Sequence, residues 1–146
     1  MLIFEVRSAD NVERWYRTGD LNLVKAVEGE QVTRLRDPHS GFLNFPLFVG
    51  KNWSHSYRNR ELSSDVLRNA RYEVEAYEKV TVKAGTLEAF KIEGRDQRSD
   101  RPYAIRLRFW YAPEVKAIVR FDGVAEPNLD PVRGFQFELV RYSPAP

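Results

Sequence analysis

The chain contains no cysteine, a single methionine and only two histidines in 146 residues. Without thiols it forms no disulfide, no zinc–thiolate site and no cysteine nucleophile. The histidines, His39 and His55, lie on different segments without ligand spacing, so no metal and no cofactor are expected. Long apolar runs are missing too. The longest cluster, residues 42–49, is broken by Asn44 and Pro46 and is far too short to span a bilayer. No sign of charge dominates, because 23 basic and 21 acidic side chains leave a net +2. That balance lacks the concentrated positive field of a dedicated nucleic-acid binder, and no nucleic-acid partner is expected. The opening residues, M-L-I-F-E-V-R-S, turn charged at once and carry no signal-peptide plan. A chain starting almost directly in strand-like sequence is expected to be a domain cut from a longer or processed precursor.

What is present is apolar and aromatic: 42% hydrophobic and 13% aromatic residues suffice for a packed core. The length predicts one domain over residues 1–146, burying roughly two thirds of its unfolded surface. The clearest pattern is residues 103–115, Y-A-I-R-L-R-F-W-Y-A-P-E-V. Tyr103, Ile105, Leu107, Phe109 and Tyr111 alternate with Ala104, Arg106, Arg108 and Trp110. A strand of this pattern presses one row into a core and presents two arginines and an indole on its reverse. Pro113, with no amide hydrogen, ends it.

Similar alternation marks residues 2–7, 21–27 and 31–36, with Glu28-Gly29-Glu30 as a hairpin turn. Ser8 and Asp10 offer caps for a short helix, but Trp15-Tyr16 and Gly19-Asp20 favour a turn leading into a second strand. Trp53, His55 and Tyr57 share a strand face, whereas residues 60–68 read as a polar loop or at most one helical turn around Val66 and Leu67. A long strand follows from Arg71, with a tight turn at Lys83-Ala84-Gly85 and a charged hairpin tip at residues 95–102. Asp122-Gly123 reads as a turn, and Phe135, Phe137 and Leu139 as a last strand. Nine or ten strands without a helix predict an all-β fold. Its expected form is an antiparallel, strongly curved sheet or partly open barrel, with a two-sheet β-sandwich as the alternative.

Few residues offer chemistry. Asp37, His39 and Ser40 fall together in one turn, where ordinary surface polarity explains them better than triad geometry. His55 can line a ligand pocket, although a half-buried histidine with one backbone partner is the commoner arrangement. Gly50-Lys51 lacks the remainder of a phosphate loop. If the alternation from Tyr72 continues to Val82, Glu78 points inward and needs a partner such as Arg106 or Arg108. A bulge near Tyr77 would instead swing it outward. The Arg106, Arg108 and Trp110 face can stack a base, sugar or headgroup, or be a solvated face on which arginine stems cover the indole. Candidate ligand-binding residues are therefore Trp53, His55, Glu78, Arg106, Arg108 and Trp110, with no catalytic residue assigned.

Three segments occur together in one order: F-P-L-F-V-G-K-N-W at 45–53, Y-E-K-V-T-V-K-A-G-T-L-E-A-F-K-I at 77–92, and W-Y-A-P-E-V-K-A-I-V at 110–119. In this set the chain resembles a family of small, largely uncharacterised β domains of bacterial exported or envelope proteins. It departs from the family pattern at Lys83, where proline is usual, and at Lys116, where glycine is usual. The resemblance implies an antiparallel β domain, exported to the periplasm or secreted, and supplies no activity. The expected role is a non-enzymatic accessory or interaction domain of the cell envelope, with an unknown protein partner. A carrier of a hydrophobic small molecule such as a lipid is the alternative, and a hydrolase using Glu78 and His55 is the least favoured reading.

Overall fold

The computed structural model describes residues 1–7 and 9–143, with the backbone alone at 133 and 134. The helix-cap alternative at Ser8 thus lies outside the described residues. Among the described residues ten strands form one antiparallel sheet in sequence order, not closed into a barrel, and none of these residues is helical. They are β1 (Leu2–Arg7), β2 (Val12–Arg17), β3 (Leu23–Glu28), β4 (Gln31–Asp37) and β5 (Asn52–Glu61). β6 (Ser64–Val82), β7 (Gly85–Arg98), β8 (Ala104–Ala112), β9 (Ala117–Ala125) and β10 (Asp130–Glu138) complete the order. The all-β antiparallel expectation is met. Among the described residues no helix is long and apolar enough to cross a membrane.

Two expected breaks in the ladder are strands. Residues 60–68 are not a loop: β5 and β6 are joined across Leu62-Ser63, and β6 alternates from its start with Val66, Arg68, Ala70, Tyr72 and Val74 all buried. Polar residues hid that alternation, because one of its inward positions is an arginine. Asp122-Gly123 is likewise inside β9, not a turn. Gly123 is there for packing, since a Cβ would stand 2.5 Å from that of Phe135. The Trp15-Tyr16 pair, read with Gly19-Asp20 as a turn ahead of the second strand, belongs to β2 itself.

The chain packs as two compact units, each drawn from separated stretches. Unit 1 comprises Met1–Phe45, Ser54–Ala70 and Arg98–Pro102; unit 2 comprises Pro46–Trp53, Arg71–Gln97 and Tyr103–Pro146. In unit 1 the segment after β4 is fastened to β3 by polar contacts. Ser40, fully buried, donates its amide to the Leu23 carbonyl at 2.8 Å and accepts the Leu23 amide on Oγ at 2.9 Å. The Asn22 side chain donates to the Leu43 carbonyl and accepts the Leu43 amide. These bonds satisfy backbone groups that would otherwise be buried without partners. Ser40, expected on the surface, is an interior tie.

Unit 2 has two apolar layers on opposite sheet faces. On one, Tyr72 meets Phe109 edge-on, Phe109 stacks on Phe121 at 4.9 Å, and Phe121 lies against Phe135 and Phe137. Gly94 makes room for this row, because a Cβ there would fall on the Tyr72 ring. On the other, Trp110 and Ala112 pack with Val80, Val82, Leu87, Ala89 and Val119. Leu139 packs against this second layer; its amide bonds the Val119 carbonyl and its carbonyl the Ala84 amide. β8 is therefore covered on one side over Ile105–Phe109 and on both sides at Trp110.

Candidate functional site

In unit 2 the expected binding row divides. Arg106 and Arg108 are exposed as anticipated, but Trp110, expected beside them on the open face, is buried at 7% exposure. The cause is the second apolar layer, which forms where the β8–β9 register shifts between Trp110 and Tyr111. The stem that covers the indole is that of Arg120, with its guanidinium 5.2 Å from the ring centre. Around the arginines the face is a mosaic of ion pairs. Arg106 and Arg95 both bind Glu126, at 3.0 and 2.9 Å, and Lys91 lies near Glu75 and Glu93. Hydrogen bonds from Arg95 first and then Arg106 hold the Glu126 carboxyl below its usual range. Arg108 stands directly opposite Glu93 on one side and Asp122 on the other.

Glu78 corrects a second expectation: it is exposed, and the partner found for it is neither Arg106 nor Arg108. It accepts the Trp110 indole N–H at 3.1 Å. The reason lies in a change of phase along β6. Val80 and Val82 pack with Trp110, whereas Tyr72, at the same parity, packs with Phe109 on the opposite side of β8. The alternation therefore slips by one between them, at the stretch where Tyr77, Glu78 and Lys79 are all exposed. The bulge alternative describes this strand better than continuous alternation does. Trp53 is half-buried and leans on Tyr72 at 5.5 Å.

His55 belongs to unit 1, so the six candidate residues are not one constellation. Its Nε2–H donates to the His39 carbonyl at 2.7 Å, which places a proton on that nitrogen because a carbonyl only accepts. The His39 and His55 rings are parallel, 4.7 Å apart, and His39 Nδ1 accepts the Gly41 amide at 3.0 Å. Burial first, and then the facing His55, hold the His39 imidazole below its ordinary value, with Asp20 opposing. Gly41 has φ +69° and lies so close to the His55 ring that a Cβ would overlap it. The pair fastens the segment after β4 to β5.

The concentration of charge in unit 1 lies on one face of β1 to β5, the same face of β5 that carries His55 and Tyr57. The register places Phe4, Trp15, Ala26, Arg34 and Glu61 in a row across the sheet. Leu2, Arg17 and Leu23 form the next row, and Arg36 stands opposite Asn59. Residues two apart on a strand share a face, so Arg17, Arg34 and Arg36 point to the same side. Arg17 and Arg36 are 7% and 2% exposed. Charges this deep are rare without compensation. The Arg17 guanidinium lies over the Phe4 and Trp15 rings at 5.1 and 5.2 Å, and that of Arg36 over Phe42 and Tyr57 at 5.4 and 5.5 Å. Aromatic faces offset part of the lost hydration.

Electrostatically the face is strained. Burial, and behind it Arg36, push Arg17 down to about 10, which leaves it protonated at neutral pH. Burial and Arg36 likewise lower Arg34, while Glu61, Glu13 and Tyr57 oppose. Arg34 Nε approaches Glu61 at 3.7 Å. Arg17 Nη1 donates to the Leu21 carbonyl at 3.3 Å, and its Nε, also buried, has no hydrogen-bond partner among the described residues. An arginine face of this kind can hold an acidic group while keeping water away from it.

Sequence reasoning did not select these arginines. The available signal was Arg34 and Arg36 two apart on β4, with Arg17 two beyond Trp15 on β2. That spacing alone misleads, because Arg58 and Arg60 share it and are exposed, paired with Asp65 on the opposite face. Comparison of the chain with protein-family models, curated proteins and solved structures finds no match.

Proposed function

We propose that this chain is a non-catalytic binding domain and that the arginine-bearing face of β1–β5 is its recognition surface. The observation that carries the reading is the position of Arg17: buried at 7% exposure, laid over two aromatic rings, and one strand in from the sheet edge, opposite Leu2. A buried cation costs stability unless something makes use of it, and a ligand or partner is the simplest use. Binding fits the remaining residues better than hydrolysis. Glu78 is engaged with an indole, and His55 with a backbone carbonyl and a second imidazole. The bacterial envelope is the setting that the three family-like segments support, and an accessory or interaction role follows from it.

The test uses the two faces of β1. Leu2 lies on the arginine side, opposite Arg17, whereas Ile3 points the other way; both are exposed, at 43% and 60%. A photo-cross-linking amino acid is placed at Leu2 or at Ile3, and each protein is irradiated with bacterial envelope extract. A discrete adduct from position 2 and not from position 3 is expected. Equal labelling from both, or none, would sink the reading.

A further inference from the structure

We propose that β1 is the pairing edge of a symmetric dimer, taking β1 of a second copy antiparallel in a register centred on Phe4. Among the described residues the sheet ends at two edges, β1 and β10, and they differ. β10 carries Pro131 and a register shift between Pro131 and Gln136, features that blunt an edge. β1 has neither. Its six residues pair with β2 without interruption, from Leu2 opposite Arg17 to Arg7 opposite Val12. It contains no lysine, and its two charges answer each other, with Arg7 Nε donating to Glu5 at 2.6 Å. Leu2 and Ile3 are exposed on opposite faces. The outer backbone groups of β1 are thus an unguarded template for another strand.

The residues of β1 favour a second copy as that strand. Every second residue of an edge strand turns its N–H and C=O outward, so residues opposed across two identical strands have the same parity. The pairing is therefore centred on a residue. Centred on Phe4, it sets Phe4 opposite Phe4, Leu2 opposite Val6 twice and Ile3 opposite Glu5 twice, and it engages the chain from Met1 to Arg7. Leu2, Phe4 and Val6 of both copies then form one apolar strip. Centred on Glu5, two carboxylates would stand face to face, which is destabilising. Centred on Ile3 or Val6, the ladder is shorter. A single strand pair is a small interface, so the dimer is expected to be weak, with Kd roughly 10–100 μM.

The full chain is followed by sedimentation across that concentration range, and register is read from introduced cysteines, since the chain has none of its own. A mixture of Leu2→Cys and Val6→Cys chains is expected to form a disulfide-linked dimer at least about tenfold faster than either alone. In the mixture the two thiols oppose each other, whereas like positions lie about 13 Å apart. Ile3→Lys is expected to tighten the dimer and Ile3→Glu to weaken it, each by roughly two- to thirtyfold, because position 3 faces Glu5 twice. Circular dichroism shows that each variant is folded. Monomer throughout the range, equal cross-linking in the mixture and in the single variants, or one response to both Ile3 substitutions overturns the inference. A Leu2 adduct with an envelope component and no dimer gives the edge to a foreign partner, which defeats this inference and spares the binding reading. A dimer without such an adduct does the reverse.

Discussion

Arg34 and Arg36 in unit 1 and Arg106 and Arg108 in unit 2 hold the same formal position, alternate residues on one face of an antiparallel strand. Their surroundings are opposite. In unit 2 the arginines stand in water beside carboxylates, and such exposed pairs contribute about 0–1 kcal/mol each. In unit 1 Arg36 and Arg17 lie over aromatic rings, and for Arg17 desolvation outweighs what the neighbours return. The depression of Arg17 to about 10 corresponds to about 3 kcal/mol held against its charged form. One face is thus close to neutral in its energetics, and the other stores unfavourable electrostatic energy. Stored energy of that kind marks a site more convincingly than an exposed charge does.

Four measurements sharpen or break the contrast. The largest effect is expected at the place where unit 2 ceases to be wet. Trp110→Ala should lose about 3–5 kcal/mol in denaturant unfolding, while Arg108→Ala stays within about 0.5 kcal/mol. Equal small losses would mean that the second apolar layer is not formed. Next comes a matched pair. Arg17→Met is expected to be neutral or stabilising by about 1–3 kcal/mol, and Arg106→Met to lose up to about 1 kcal/mol. If Arg17→Met destabilises more than Arg106→Met, the claim of an electrostatically strained face fails.

Gly41→Ala is expected to lose about 1–3 kcal/mol, from its left-handed backbone and the overlap with the His55 ring. Gly29→Ala is its reference: it has φ +63° in the β3–β4 turn, with nothing near the added methyl. A larger loss at Gly29 would count against the His39–His55 tie. The smallest effect is a pH dependence. His39 binds its proton more weakly in the folded chain than unfolded, so the unfolded state takes up more protons as pH falls below about 6.5. Stability is therefore expected to decline from that pH downward, until the folded His39 also protonates. His39→Asn should flatten this slope, and an unchanged slope would remove His39 from the account.

Much of the ladder was legible because turn chemistry and period-2 alternation agreed, as at Glu28-Gly29-Glu30 and along residues 103–111. The failures share one physical origin. Alternation says which residues share a face and not which face is dry. β6 from Ser64 to Arg68 looked like loop because Arg68 occupies an inward position. Trp110 looked exposed because its strand neighbours on that side are arginines, and the layer covering it comes from β6, β7, β9 and Leu139. The arginine face was invisible for the converse reason. Leu35 lies between Arg34 and Arg36, and hydropathy assigns the leucine, not the arginines, to the interior. Glu78 was read one phase out, which no single-strand pattern can detect without the partner strand.

Each strand bonds only to the strands before and after it in the chain, from β1 to β10. Pairing therefore never waits for a distant segment to arrive: each new hairpin closes a loop of a few residues, or of the fourteen at 38–51 between β4 and β5, against an edge already present. Loop-closure entropy stays low at each step, and the ladder can lengthen one strand at a time. This topology places the chain toward the rapid end of folding rates for all-β proteins of its size, with assembly proceeding outward from whichever hairpin forms first.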